Sequence, residues 1–259
     1  MKLKTLAGAC GFFFSAFASS VNAGQTNVAV AANFTEPAKE IAALFKLKTG
    51  NDAILSFGAS GPFLAQITHD APYKVFLSAD SERPKAAIDA GFAVAESRFT
   101  YAIGVLALWS RVVDVTKGEE ALKAGAFSKI AVANPNAAPY GVAAIEAMKA
   151  LGVFDALKSK MVQGASIAQT FQFVDTRNAE VGFVALSQLY GSTEGTRWLV
   201  PANLYTPIRQ DAVLLNKGAN DETSKAFLEF LQGPEARGII EKYGYELETT
   251  EARQSAPAQ

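Results

Sequence analysis

Short apolar runs alternate with stretches of helical period along most of the chain, the pattern of strands that feed helices packed back on a sheet. The first run covers 28–32, and 36–48 follows with Ile41, Leu44 and Phe45 on one helical face and Gly50 as a stop signal. Such a pair predicts strand, tight turn, helix. The unit recurs as 53–57 with 63–68, and as 74–78 with 82–90, where Gly91 closes the helix. A long apolar run at 101–109 then interrupts the rhythm. Behind it the alternation restarts, with strands at 129–133, 161–164 and 181–184 and helices at 140–151 and 167–176. A second long run at 208–215 precedes two closing helices, 222–231 and 234–243, each followed closely by a glycine.

Two blocks of strand–helix units separated by long strands imply an α/β fold of two lobes, each a mixed sheet flanked by helices, with a ligand cleft between them. Residues 24–103 and 207–259 are assigned to the first lobe and 104–206 to the second, the long strands crossing between them. The two closing helices then return to the first lobe. The polar stretch 248–259 has no apolar period and is expected to fray.

Composition narrows the chemistry. With 24 Lys plus Arg against 25 Asp plus Glu and no basic run in the body of the chain, the electrostatic footprint of a nucleic-acid binder is missing. One Cys and one His cannot build a His/Cys metal centre, and no Gly-rich phosphate motif of the dinucleotide or nucleotide type occurs. The N-terminus sets the compartment. Lys2 and Lys4 precede a mostly apolar stretch at 6–18, and small residues lead up to Ala23. Residues 1–23 therefore read as a signal peptide, since the apolar stretch is shorter than the ~20 residues of a spanning helix. Cleavage there removes Cys10, so the exported protein is held by its core without disulfides.

In open α/β sheets, ligands sit where strands end and helices begin, because helix N-termini present unpaired backbone N–H groups. Four such turns stand out: 31–37 with Asn33 and Thr35 as capping candidates, 57–62 with Ser60 as another, 134–141, and 164–167. Two belong to each lobe. None contains a basic residue, so together they suit an anion held by neutral donors and helix dipoles.

In order and spacing, Ala31-Ala32-Asn33-Phe34-Thr35, Phe57-Gly58-Ala59-Ser60, Phe76-Leu77-Ser78-Ala79-Asp80, Asn134-Pro135 with Pro139-Tyr140-Gly141, and Leu231-Gln232-Gly233-Pro234-Glu235-Ala236 with Tyr243-Gly244-Tyr245 resemble the periplasmic molybdate-binding proteins of ABC transporters. The resemblance spans essentially the whole exported chain. It implies a type II periplasmic-binding-protein fold that closes over molybdate or tungstate, acts as a monomer in the periplasm, delivers to a membrane permease, and uses no cofactor. Carried over by position, Asn33 supplies a side-chain donor and N–H, Ser60 a hydroxyl and N–H, and Tyr140 and Ile167 backbone N–H groups. These contacts fall on the oxyanion oxygens and not on the metal atom. Some members carry a Tyr hydroxyl where this chain has Ala185, and Asn33 or the Tyr140 hydroxyl is expected to replace it.

Other readings remain to be weighed. A binder of sulfate, phosphate or a carboxylate shares the architecture, although a carboxylate site calls for an Arg in the cleft turns. An exported α/β hydrolase needs Ser60 as nucleophile with His69 as base, but the nucleophile-elbow spacing is absent. Asp80 and Asp175 could form a carboxylate pair for acid–base work, but nothing in the sequence fixes their separation and a solvated or capping role is expected for both. Trp109 and Trp198 are expected to pack in or near the core.

Overall fold

A computed structural model describes residues 23–248 of the chain. The expected signal segment, apart from Ala23, and the tail from 249 lie outside the described residues.

Among the described residues, ten strands form two five-stranded sheets. In the first, β1 (Gln25–Ala31) pairs in parallel with β2 (Asp52–Gly58) on one side and β3 (Val75–Leu77) on the other. Antiparallel β10 (Ile208–Leu214) follows β3, and β4 (Phe99–Gly104) closes the edge. In the second, β6 (Ile130–Ala133) lies in parallel between β7 (Met161–Gly164) and β8 (Val181–Ala185). Antiparallel β5 (Leu106–Ser110) and β9 (Thr196–Leu199) complete it. The fold is thus mixed α/β in two lobes, as the alternating pattern implies.

Both faces of each sheet are covered, which explains why the central strands read as unbroken apolar runs. Val28 and Val30 face a core built with Phe34, Ile41 and Phe45 of α1 (Thr35–Thr49), together with Phe227 of α8 (Glu222–Gln232) and Ile240 of α9 (Pro234–Lys242). Ala29 and Phe76 face the opposite core, with Phe63 and Ile67 of α2 (Ser60–Thr68) and Ala87 of α3 (Glu82–Asp89). Between β5 and β6 lies α4 (Gly118–Ala124). In the second sheet, α5 (Pro139–Ala150) and the one-turn α6 (Phe154–Leu157) contribute to one core, while α7 (Ile167–Asp175) gives Ile167 to that core and Val174 to the other.

The connections differ from the expected pair of crossing strands. The run 101–109 is broken at Val105, with β4 in the first sheet and β5 in the second. A single strand cannot serve two sheets without a change of hydrogen-bonding partners, and Val105 is where that change falls. The run at 208–215 does not cross at all. β10 lies wholly in the first sheet, and the return from β9 is made by 200–207, which includes a short 3-10 turn. Sequence reasoning also missed α4, α6 and β9. Their short, half-exposed segments leave too few apolar positions to set a period, and β9 alternates half-buried with exposed residues at the sheet edge.

Candidate functional site

The four turns converge. Asn33, Ser60, Tyr140 and Ile167 line one small, tightly walled cavity between the lobes. Ala31, Ala32, Gly58, Ala59, Ala79, Ala138 and Pro139 complete the lining, so no charged residue faces it. The small walls are what let three helix ends approach one point.

Each helix offers its first turn. Ser60 is the first residue of α2 and Ile167 the first of α7, while Tyr140 is the second of α5, behind a proline whose missing N–H costs nothing there. The capping positions of α2 and α5 are Ala59 and Ala138, which have no side-chain oxygen to offer. Alanine at this position costs a helix about 1 kcal/mol relative to Ser or Asp. It also leaves the first N–H groups open to a ligand. In α7, Ser166 does cap, but its Oγ accepts from the Gln169 N–H, two residues beyond Ile167.

The capping roles expected for Asn33, Thr35 and Ser60 are not found. Ser60 lies inside its helix, and its buried Oγ accepts from the Ala79 N–H at 2.9 Å, which leaves the hydroxyl proton to donate elsewhere. Thr35 Oγ1 donates to the Ala32 carbonyl. Asn33 sits in a 3-10 turn ahead of α1, and its Nδ2 donates to Gln210 Oε1 at 2.8 Å and to the Tyr245 hydroxyl at 2.9 Å. Its Oδ1 is buried and has no hydrogen-bond partner.

Behind Asn33 lies a buried polar network that joins the lobes. Gln210 of β10 donates through Nε2 to the Tyr140 hydroxyl of α5, and its Oε1 accepts from Tyr101. Ser187, beyond β8, donates to the Asn33 carbonyl, and the Tyr245 hydroxyl reaches both. Burial raises the phenol pKa of Tyr101, Tyr140 and Tyr245, so all three stay protonated and neutral. Ala185 is buried in the second core, and its N–H donates to Gln188 Oε1. Gly104 is dictated by this network. A Cβ there would stand 2.2 Å from the Tyr140 hydroxyl oxygen and 2.6 Å from Gln210 Nε2.

Sequence reasoning missed Gln210, Tyr101, Ser187 and Tyr245. One signal was present: Arg209-Gln210-Asp211 stand together in a strand that is apolar on either side, and the two of them that are buried, Gln210 and Asp211, need partners. At the mouth of the cleft the lobes touch directly. The Gly61 N–H donates to the Ala137 carbonyl, and the Arg83 guanidinium reaches the Asn136 carbonyl.

A wider recess of about 290 Å³ opens beside the cavity, and Asp80, Glu82, Arg83, Glu146 and Arg209 are among its lining residues. Its guanidiniums are already matched, Arg83 by Asp80 and Arg209 by Glu248. The enzymatic pairings fail, the first on distance and the second because each carboxylate has its own arginine. Ser60 opens the nine-residue α2 and His69 follows its last residue, so they lie about 13 Å apart along the helix axis. Asp80 pairs with Arg83 of the first lobe and Asp175 with Arg111 of the second. Among the described residues no cluster of three His, Cys, Asp or Glu side chains exists to hold a metal ion. Trp109 is buried and stacks on Phe171, and neither it nor Trp198 lines the cavity.

Two α/β lobes joined by crossover segments, closed on a cavity walled by helix N-termini, define a solute-binding protein of type II periplasmic-binding architecture. The chain belongs to the family described as bacterial extracellular solute-binding protein, which it matches over residues 26–246. It is 54% identical to the molybdate-binding protein ModA of Rhodobacter capsulatus, over 86% of this chain and 88% of that one. With ModA of Azotobacter vinelandii the identity is 49%, over 89% and 93% of the two chains. The solved structure of the Azotobacter vinelandii periplasmic molybdate-binding protein superposes with a TM-score of 0.83 at 37% identity, covering 86% of this chain and all of the other.

Proposed function

We infer that this protein captures molybdate, and tungstate with it, in the periplasm and delivers the anion to the permease of an ABC transporter. The observation that carries the reading is a cavity enclosed by three helix N-termini and containing no charged side chain. Each helix end carries roughly half a positive charge, so the three together offset most of a dianion without a counter-ion. Asn33 and Ser60 from the first lobe and Tyr140 and Ile167 from the second then grip opposite sides of one tetrahedral ligand. Binding contacts shared between lobes favour the closed state, because only a ligand with differential affinity shifts that equilibrium. The relatives named molybdate-binding proteins support this choice of anion. Export through the segment 1–23 places the protein in the periplasm, where it acts as a monomer without a cofactor.

Walls of backbone and short side chains cannot shrink cheaply around a smaller anion, so sulfate leaves donors unpaired at about 1–3 kcal/mol each. Calorimetric titration of the exported form with molybdate, tungstate, sulfate and phosphate tests this. Molybdate and tungstate should bind alike and sulfate at least about a hundredfold more weakly, the equivalent of about 2.7 kcal/mol. Equal affinity for sulfate refutes the molybdate assignment.

A further inference from the structure

Asn33 lines the cavity and is proposed to donate to the oxyanion, yet in the structure its Nδ2 is spent on Gln210 and Tyr245 and its buried Oδ1 has no partner. A carbonyl oxygen repels a dianion. The surrounding network resolves this conflict, because it has a second set of hydrogen bonds, reached when the Tyr245 hydroxyl turns its one proton away from the Asn33 carbonyl and Ser187. Turning the Asn33 amide by half a turn places Oδ1 against Gln210 and Tyr245 and frees Nδ2 toward the cavity. Gln210 then has to turn as well: its Nε2 donates to Asn33 Oδ1 and to the Tyr101 hydroxyl, and its Oε1 accepts from Tyr140.

Every partner is equipped for both arrangements. Tyr101 already lies 3.0 Å from the Ser78 carbonyl and can send its proton there while accepting from Gln210. Tyr245 donates to Asn33 Oδ1 once it releases the Asn33 carbonyl, which Ser187 still holds at 2.9 Å. Hydroxyls donate and accept, whereas amide orientations are fixed only by their neighbours. Gln210 is fully buried, and the two ends of its amide face Asn33 of the first lobe and Tyr140 of the second.

We propose that Gln210 is the positioning residue that turns the Asn33 amide donor toward the bound oxyanion, the two amides rotating together when the ligand enters. The inference rests on the molybdate reading and adds a residue that never touches the ligand. Since Gln210 also bonds Tyr140, the same rotation reports ligand occupancy to the second lobe.

The test has two arms. In the wild-type protein labelled with nitrogen-15, molybdate should shift the side-chain amide signals of Asn33 and Gln210 together, with the same saturation point. Gln210→Met, which neither donates nor accepts at that position, should weaken molybdate binding by at least about fivefold, within the coupling range of contacting residues. In an Asn33→Ala background the same change should cost clearly less, because there is no amide left to orient and only the bond to Tyr140 is lost. An equal loss in both backgrounds, or no loss in either, overturns the proposal. If Gln210→Met fails to fold, the labelled wild type decides: an Asn33 signal that moves while Gln210 stays still overturns it. A wild type that ignores molybdate in calorimetry overturns the functional reading and this inference together. One that binds with Gln210 unmoved overturns this inference alone.

Discussion

Replacing Ser60 by alanine separates the proposed site from a merely well-packed turn. Its hydroxyl accepts from the buried Ala79 N–H, and its own proton is free for the ligand. Two losses follow from one deletion. Loss of a hydrogen bond to a charged ligand costs about 1.5–3 kcal/mol, which is about tenfold to 150-fold in affinity. The abandoned Ala79 N–H costs about 1–3 kcal/mol of stability with or without ligand. For a chain of this length each kcal/mol lowers the melting temperature by about 2–4 °C. The assay is therefore paired: molybdate calorimetry for affinity, and thermal unfolding of the ligand-free protein for the strut. Both quantities should fall. A variant that melts lower yet binds molybdate as the parent does would refute the reasoning, because Ser60 would then be only a support for Ala79.

Two further outcomes are expected. Gly104→Ala drives a Cβ into the Tyr140 hydroxyl and Gln210, so it should weaken molybdate binding by at least about tenfold and destabilise the protein by about 1–3 kcal/mol, as overpacking does; calorimetry and unfolding curves check this, and unchanged affinity contradicts it. Molybdate affinity should be flat between about pH 6 and pH 9, because the cavity holds no carboxylate, amine or imidazole and burial raises the Tyr140 phenol above its ordinary value near 10; the sign is that Tyr140 loses its proton only above that range, and a slope within it points to a titrating group at the site.

Much of this molecule is legible in its sequence, for identifiable reasons. Strands buried on both faces leave continuous apolar runs, so β1, β6 and β8 can be found within one to three residues of their ends. Turns at the carboxyl ends of parallel strands point to the cavity because topology brings those ends together. What escaped notice depends on tertiary partners. No local signal says that Ser60 bonds Ala79, nineteen residues away, or that Asn33 bonds Tyr245, which lies 212 residues on. Capping preference is a local rule and it misled at Asn33 and Ser60, since both hydroxyl and amide found better partners across the fold. The break at Val105 was hidden for a related reason. Hydropathy records burial but not which sheet provides it.

The central claim is that uncharged donors hold the oxyanion in the small cavity and that the neighbouring charged recess plays no part. Anomalous diffraction from crystals grown with molybdate tests it most directly, since the molybdenum atom marks its own position. The account predicts one peak between Asn33, Ser60, Tyr140 and Ile167, with no Lys or Arg nitrogen in contact with the oxyanion. A peak in the recess beside Arg83 and Arg209 would contradict it.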